Sequence, residues 1–336
     1  MSGSLVDFYD TFLLDLDGTV YRGGSAVTGA ADAVRELRER GRGIGFVTNN
    51  ASRAPEQVVK HLGTLGVAAD PAEVHTSAQA AARVLAERLG SAAEVLVVGS
   101  DSLADELASV GLRPVREAAD TVAAVVQGWS SDIGWAQLAE ACIAINAGAG
   151  WVACNVDPTL PTERGQLPGN GSLVAALRTA TGAEPFIAGK PGSPLFLEAI
   201  KSTGAERALV VGDRLDTDIA GAHAAELDSL LVLSGSSTPG DLLAAPPEMR
   251  PTYLSADLRS LTEPLDTLRI QRQPGWTVQV GSGAPRIEAN GEADALALLR
   301  TLCDAWWSAG VGRAEPVASD DAAGAALAEL GIEGQR

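Results

Sequence analysis

Hydrophobic residues recur along this chain with two alternating periods. Residues 11 to 16 (TFLLDL) are a short continuous apolar run, residues 30 to 40 (AADAVRELRER) carry apolar positions at helical spacing, and IGFVT follows after GRG. Apolar strand, crossover helix and second apolar strand form a βαβ signature, which predicts a parallel sheet covered on both faces. NNASRAPEQVVKHLGTLG then opens with small polar residues and continues as a helix with Val58, Val59, Leu62 and Leu65 inward.

The same vocabulary restarts near residue 77. SAQAAARVLAERLG, SLADELASVG, WAQLAEACIAINAG and GSLVAALRTATG read as helices, and EVLVVG, VAAVVQG and WVACN as strands. SPLFLEAIKSTG begins a further α/β stretch that ends in the strand RALVVGD. After about residue 264 the pattern changes. PLDTLRIQRQPGW reads as a linker, WTVQVGSGAPRIEAN as a hairpin turning at Gly281 to Gly283, and EADALALLRTLCDAWWSAG as an amphipathic helix. A tail this small cannot hold a large core of its own, so it is expected to dock on the main body or on a second subunit. Trp276, Trp306 and Trp307 are read as packing residues.

At 336 residues the chain exceeds one comfortable core. No apolar run reaches the roughly 18 residues that span a bilayer, and the start MSGSLVDFYD lacks a basic segment followed by an apolar one. The expectation is a cytoplasmic protein without a secretory signal. Cys142, Cys154 and Cys303 are widely spaced and form no C-x-x-C element, which fits reduced, buried thiols. A formal net charge of −18 argues against nucleic acid or an anionic membrane as partner. An anionic small molecule would therefore need strong local positive charge, and the lysines are Lys60, Lys190 and Lys201.

Four polar elements stand where predicted strands end, the edge at which open α/β sheets place their ligands. They are Asp15-Leu16-Asp17-Gly18-Thr19, Thr48-Asn49-Asn50, Gly189-Lys190-Pro191 and Gly212-Asp213-Arg214-Leu215-Asp216-Thr217-Asp218. Each alone reads equally as a turn or a helix cap; their order and placement together point to phosphoryl transfer. Alternation along a strand sends Asp15 and Asp17 to one side and Leu16 to the other. A carboxylate such as Asp15 can attack phosphorus and form an aspartyl-phosphate. Clustered carboxylates call for a hard cation, and Mg²⁺ takes such oxygen ligands. Asp17 is then available as general acid and base, while Thr48, Asn49, Asn50 and Lys190 offer donors and charge to phosphate oxygens. His61, His75 and His223 lie outside these elements and read as surface or packing residues.

DLDGT, TNN, GKP and GDRLDTDI, in that order, resemble the four motifs of the haloacid dehalogenase superfamily. The likeness is to its subfamily IIA, which contains the nitrophenylphosphatase-like, phosphoglycolate and pyridoxal phosphate phosphatases. It covers roughly residues 10 to 262 and implies a doubly wound, Rossmann-like parallel-sheet core with an inserted α/β cap. The division expected from it is core at 1–79 and 185–264, cap at 80–184, and a small α+β extension at 265–336. By the same resemblance Asp15 is the nucleophile, Asp17 the acid and base, and Thr48, Asn49, Asn50 and Lys190 the phosphate site. Asp15, Asp17, Asp213 and Asp218 would hold Mg²⁺.

The segment Asn155 to Gly165, followed by Pro168 to Ser172, resembles the family's specificity segment, making Asp157, Glu163 and Arg164 candidates for substrate contact. Pyridoxal phosphatases carry a histidine where this chain has Leu160, and the polar loop suits a small hydroxylated leaving group better than a flat ring. With its extra C-terminal region, the whole pattern is similar to the actinobacterial glycerol 3-phosphate phosphatases. The expectation is hydrolysis of glycerol 3-phosphate. Phosphoglycolate, 4-nitrophenyl phosphate, sugar phosphates and pyridoxal phosphate are the alternative substrates. A phosphomutase, a phospho-accepting receiver module and a non-catalytic ligand-binding scaffold are the rival classes. The expected partner is a small phosphate ester; a homodimer is compatible with the tail.

Overall fold

The computed structural model describes residues 3–162, 164–280, 284–291, 294–310 and 314–332. The chain forms two compact units: residues 1–22, 26–44 and 205–336 make up the first, and 23–25 and 45–204 the second.

In the first unit the strands Tyr253–Ser255, Asp228–Val232, Ala208–Gly212 and Thr11–Asp15 lie side by side in that order, all parallel. Leu14 stands opposite Val211, and Val211 opposite Leu230. Phe12, Leu13, Leu14, Leu209, Val211, Leu230 and Leu231 are wholly buried, as runs that are apolar on both faces require. Strand Gly43–Thr48 begins beside the first strand, with the Gly43 N–H donating to the Asp10 carbonyl at 2.8 Å. The connecting helix Ala30–Glu39 buries Ala30, Ala33, Val34 and Leu37, the i, i+3, i+4, i+7 stripe of an amphipathic helix. Tyr9 ties the N-terminal turn to this sheet through its hydroxyl, 2.7 Å from Asp228 Oδ2 and 3.1 Å from the Tyr253 hydroxyl.

The tail belongs to this unit. Strands Trp276–Gln279 and Arg286–Ala289 pair antiparallel, and Val317–Ala318 adds a parallel third. Helix Ala295–Ala309 sets Leu298, Leu299 and Leu302 into one core with Leu231, Leu242, Leu243 and Leu254 of the main body. The buried Arg300 guanidinium donates to the Leu254 carbonyl at 2.9 and 3.1 Å. The tail thus docks on the main body. The three tryptophans pack: Trp276 is buried in this core, Trp306 and Trp307 lie against it, and Arg250 sits over the Trp307 ring. The presumed linker is a correction, since it is fixed in place. Leu268 is fully buried, and the Ile270 N–H donates to the Thr252 carbonyl at 3.1 Å. The turn at Gly281 to Gly283 lies outside the described residues.

The second unit has its own parallel sheet, ordered Phe186–Ile187, Gly150–Ala153, Val122–Gln127, Glu94–Val98, Arg113–Val115. Helices Trp135–Asn146 and Asn170–Thr181 bury Ala141, Ile145, Val174 and Leu177 against Leu96, Val98 and Val125. Strand Val74–Thr76 pairs parallel with Gly43–Thr48 through Phe46 and Val74. In helix Pro55–Thr64 only Val58 and Leu62 of the four expected residues are buried. Val59 is turned about 100° from Val58, and Leu65 follows the last helical residue. No helix among the described residues is long and apolar enough to cross a membrane.

The joint core makes the tail part of the first unit's stability. Leu298→Ala, at a position with no exposure, lowers unfolding free energy by about 2–5 kcal/mol in urea titration. Leu197→Ala, at a half-exposed position, changes it by less than about 0.5 kcal/mol.

Candidate active site

The first strand carries its apolar run to Leu14 and delivers Asp15, half-buried, at its end. Leu16 turns back into the core, and Asp17 emerges exposed, bridged to Tyr21. Gly18 has φ +97°, and a Cβ there would fall 2.4 Å from Asp213 Oδ2. Only glycine meets both demands. On the neighbouring strand, the chain leaves Gly212 into Asp213, which is wholly buried. Asp218 follows in the turn Leu215–Ile219, also buried, with its Oδ2 accepting the Arg214 N–H at 3.1 Å. Asp216 of the same motif points outward and pairs with Arg214 at 2.8 Å.

These turns converge on one feature. Carboxylate oxygens of Asp15, Asp213 and Asp218 lie within 4.8 Å of one another. At an effective dielectric near 20, two unit charges at that separation repel by roughly 3–4 kcal/mol. The donor set is all oxygen and anionic, with no imidazole or thiolate, which fits a small hard cation such as Mg²⁺. The loop after Asp228–Val232 closes on the same group. The Ser236 N–H donates to Asp213 Oδ2 at 2.6 Å, and Ser234 Oγ to the Gly18 carbonyl at 2.8 Å. A Cβ on Gly235 would meet Asp213 Oδ2 at 1.9 Å. Sequence reading passed over this loop, although SLLVL followed by SGSS has the same form as FLLDL followed by DGT.

In the second unit, strand Gly43–Thr48 ends on a buried Thr48, whose Oγ1 accepts the Asn50 N–H at 3.1 Å. Asn50 folds back locally, its Oδ1 accepting both the N–H and the hydroxyl of Ser52 at 2.8 Å. Lys190 is 3% exposed; its ammonium donates to the Val47 carbonyl at 3.4 Å. Asn49 faces the Lys190 backbone and Asp157, with Nδ2 3.0 Å from both the Lys190 carbonyl and Asp157 Oδ2. Thr48, Asn49, Asp157 and Lys190 are therefore gathered here, as Asp15, Asp213 and Asp218 are in the first unit. Arg164 is exposed at the tip between the paired strands Thr159–Thr162 and Gly165–Pro168. Glu163 lies outside the described residues. Two further participants, Asn155 and Asn170, fall in the segments that resemble the specificity segment but are not singled out there; Asn155 Nδ2 donates to the Asn49 carbonyl and Asn170 Nδ2 to the Asn155 carbonyl, each at 2.7 Å.

His223 is exposed and His61 half-buried. His75 is buried in strand Val74–Thr76, its Nε2 has no hydrogen-bond partner, and burial pushes its pKa down to about 4. Cys142, Cys154 and Cys303 are free thiols, with Cys154 and Cys303 buried.

The chain belongs to the haloacid dehalogenase-like hydrolases. Residues 12–113 match the model of the haloacid dehalogenase-like hydrolase family, and residues 187–261 a second, HAD-hydrolase-like model. Residues 273–332 match a GCN5-related N-acetyltransferase like domain. The chain is 51% identical to the D-glycerol 3-phosphate phosphatase of Mycobacterium tuberculosis over 313 residues, 91% of this chain and 88% of that protein. It is 38% identical to the 5'-nucleotidase YutF of Bacillus subtilis, over 68% of this chain and 88% of that protein. The crystal structure of the M. tuberculosis glycerol phosphate phosphatase in complex with magnesium superposes with a TM-score of 0.94 at 50% identity. It covers 99% of this chain and 100% of that one. A thermostable NPPase from Geobacillus stearothermophilus superposes at 0.69 and 32% identity, over 77% of this chain and 98% of that one.

The lowered His75 pKa has a definite sign. The unfolded chain takes up this proton near pH 6.5 and the folded one only near 4, so acid favours unfolding within that window. Stability falls as pH drops from about 6.5 to 4, by up to about 3 kcal/mol from this group. His75→Leu flattens that part of the profile of denaturant stability against pH.

Proposed function

We propose that the protein is a Mg²⁺-dependent phosphatase of small phosphate monoesters, with glycerol 3-phosphate as substrate and Asp15 as the phosphorylated group. The observation that carries this reading is the meeting of Asp15 and Asp213, delivered by adjacent parallel strands, with Asp218 from the turn that follows. Kinship at 51% identity to a D-glycerol 3-phosphate phosphatase supports the substrate.

Asp15, Asp213 and Asp218, with the Asp17 carbonyl, are the residues that would hold Mg²⁺. When bound, the ion offsets their mutual repulsion and the charge on the phosphoryl oxygens. Asp15 attacks phosphorus through a carboxylate oxygen, and the bond from phosphorus to the leaving oxygen breaks. Asp17, exposed where Asp15 is half-buried, gives its proton to that oxygen and releases glycerol. It then takes a proton from the water that attacks the aspartyl-phosphate, which frees inorganic phosphate and restores Asp15. Thr48 and Lys190 hold the phosphoryl oxygens, and the buried ammonium supplies local positive charge in a chain of net −18. Residues 80–184 act as the lid over the leaving group, with core at 1–79 and 185–264 and an extension at 265–336. The free thiols support a reducing, cytoplasmic setting.

Asp15→Asn keeps the shape of the strand end and removes the nucleophile. It lowers phosphate release from glycerol 3-phosphate by more than about 10³-fold while the circular dichroism spectrum stays unchanged; retained turnover rules Asp15 out as nucleophile. Chelation of divalent ions abolishes release, and added Mg²⁺ restores it. Activity that survives chelation removes the metal from the mechanism.

A further inference from the structure

The Asn49 side chain is fully committed within the protein. An amide side chain has two N–H donors, and those of Asn49 go to the Lys190 carbonyl and to Asp157 Oδ2, each at 3.0 Å. Its Oδ1 accepts the Lys190 N–H at 2.8 Å. The partners fix the orientation of the amide, because a flipped group would set oxygen against the Lys190 carbonyl. An anion is held by donors, and this side chain has none left to give.

The Asn49 backbone carbonyl is held in turn. It accepts from Ser77 Oγ and from Asn155 Nδ2, both at 2.7 Å. Asn155 Oδ1 accepts the Asp157 N–H at 3.2 Å, and the Asn155 carbonyl accepts from Asn170 Nδ2 at 2.7 Å. Ser77, Asn155 and Asn170 are 0%, 5% and 1% exposed. In such surroundings each hydrogen bond is costly to lose. The network joins the end of strand Gly43–Thr48, the segment after Gly150–Ala153, and the loop that carries Lys190.

We infer that Asn49, Asn155 and Asp157 are positioning residues that fix the Lys190 backbone beside Thr48, and that their side chains contact neither phosphate nor leaving group. This rests on the role of Lys190 as phosphate anchor given above. It reassigns Asn49 from phosphate binding and Asp157 from substrate selection.

The test compares glycerol 3-phosphate with 4-nitrophenyl phosphate, esters that share the phosphate and differ in the group that leaves. Asn49→Ala, Asn155→Ala and Asp157→Ala each lower kcat by about 10- to 100-fold, by the same factor for both esters. Loss confined to the glycerol ester overturns the inference for that residue. So does a rise in the inhibition constant of inorganic phosphate with kcat unchanged. Should the alanine variants fail to fold, Asn49→Asp alone sets two carboxylates face to face and loses activity on both esters. Adding Asp157→Asn returns a donor to the pair and recovers activity at least about 5-fold; no recovery overturns the pairing. A wild-type protein that releases phosphate from neither ester overturns the proposed function and the inference with it. Wild-type turnover with a leaving-group-selective loss overturns the inference alone.

Discussion

Three carboxylates within 4.8 Å of one another are the constraint around which the first unit is arranged. Such a cluster resists folding unless the backbone holds it and a cation compensates it. Adjacent parallel strands provide the hold, because they end side by side and deliver Asp15 and Asp213 to one edge. The neighbouring loops close around Asp213: a Cβ on Gly18 or Gly235 would strike its carboxylate, and the Ser236 N–H binds it. A parallel sheet must be buried on both faces, so this arrangement demands apolar cover, and part of that cover comes from the tail.

The tail's likeness to an N-acetyltransferase-like domain over residues 273–332 coexists with a structural task. Helix Ala295–Ala309 directs its apolar face into the same core as Leu231 and Leu254, and Arg300 satisfies a carbonyl of strand Tyr253–Ser255. That carbonyl belongs to the outermost strand of the sheet, where an unpaired backbone group would otherwise invite other pairings. The second unit solves a comparable problem with polar groups. A run of amides, from the buried Asn170 and Asn155 to the half-buried Asn49, fixes the loop that bears Lys190. Hydrogen bonds specify direction and register there, which apolar packing alone does not.

The sequence by itself determined the βαβ order, because continuous apolar runs and helical spacing are local signals. It also determined which carboxylates stand at strand ends, since DLDGT and GDRLDTD follow such runs directly. It could not show the strands Arg113–Val115 and Val74–Thr76, which are short and held by their neighbours rather than by their own composition. Nor could it show that PLDTLRIQRQPGW is anchored, because Leu268 and Ile270 find their partners only once strand Tyr253–Ser255 is formed. What only the tertiary structure decided is the destination of each side-chain donor. Asn49 belongs to a motif whose composition suits phosphate, yet its two N–H groups end on residues 108 and 141 positions away. Hydrogen bonds act over about 3 Å, so contacts across that length of chain exist only after folding has brought the segments together.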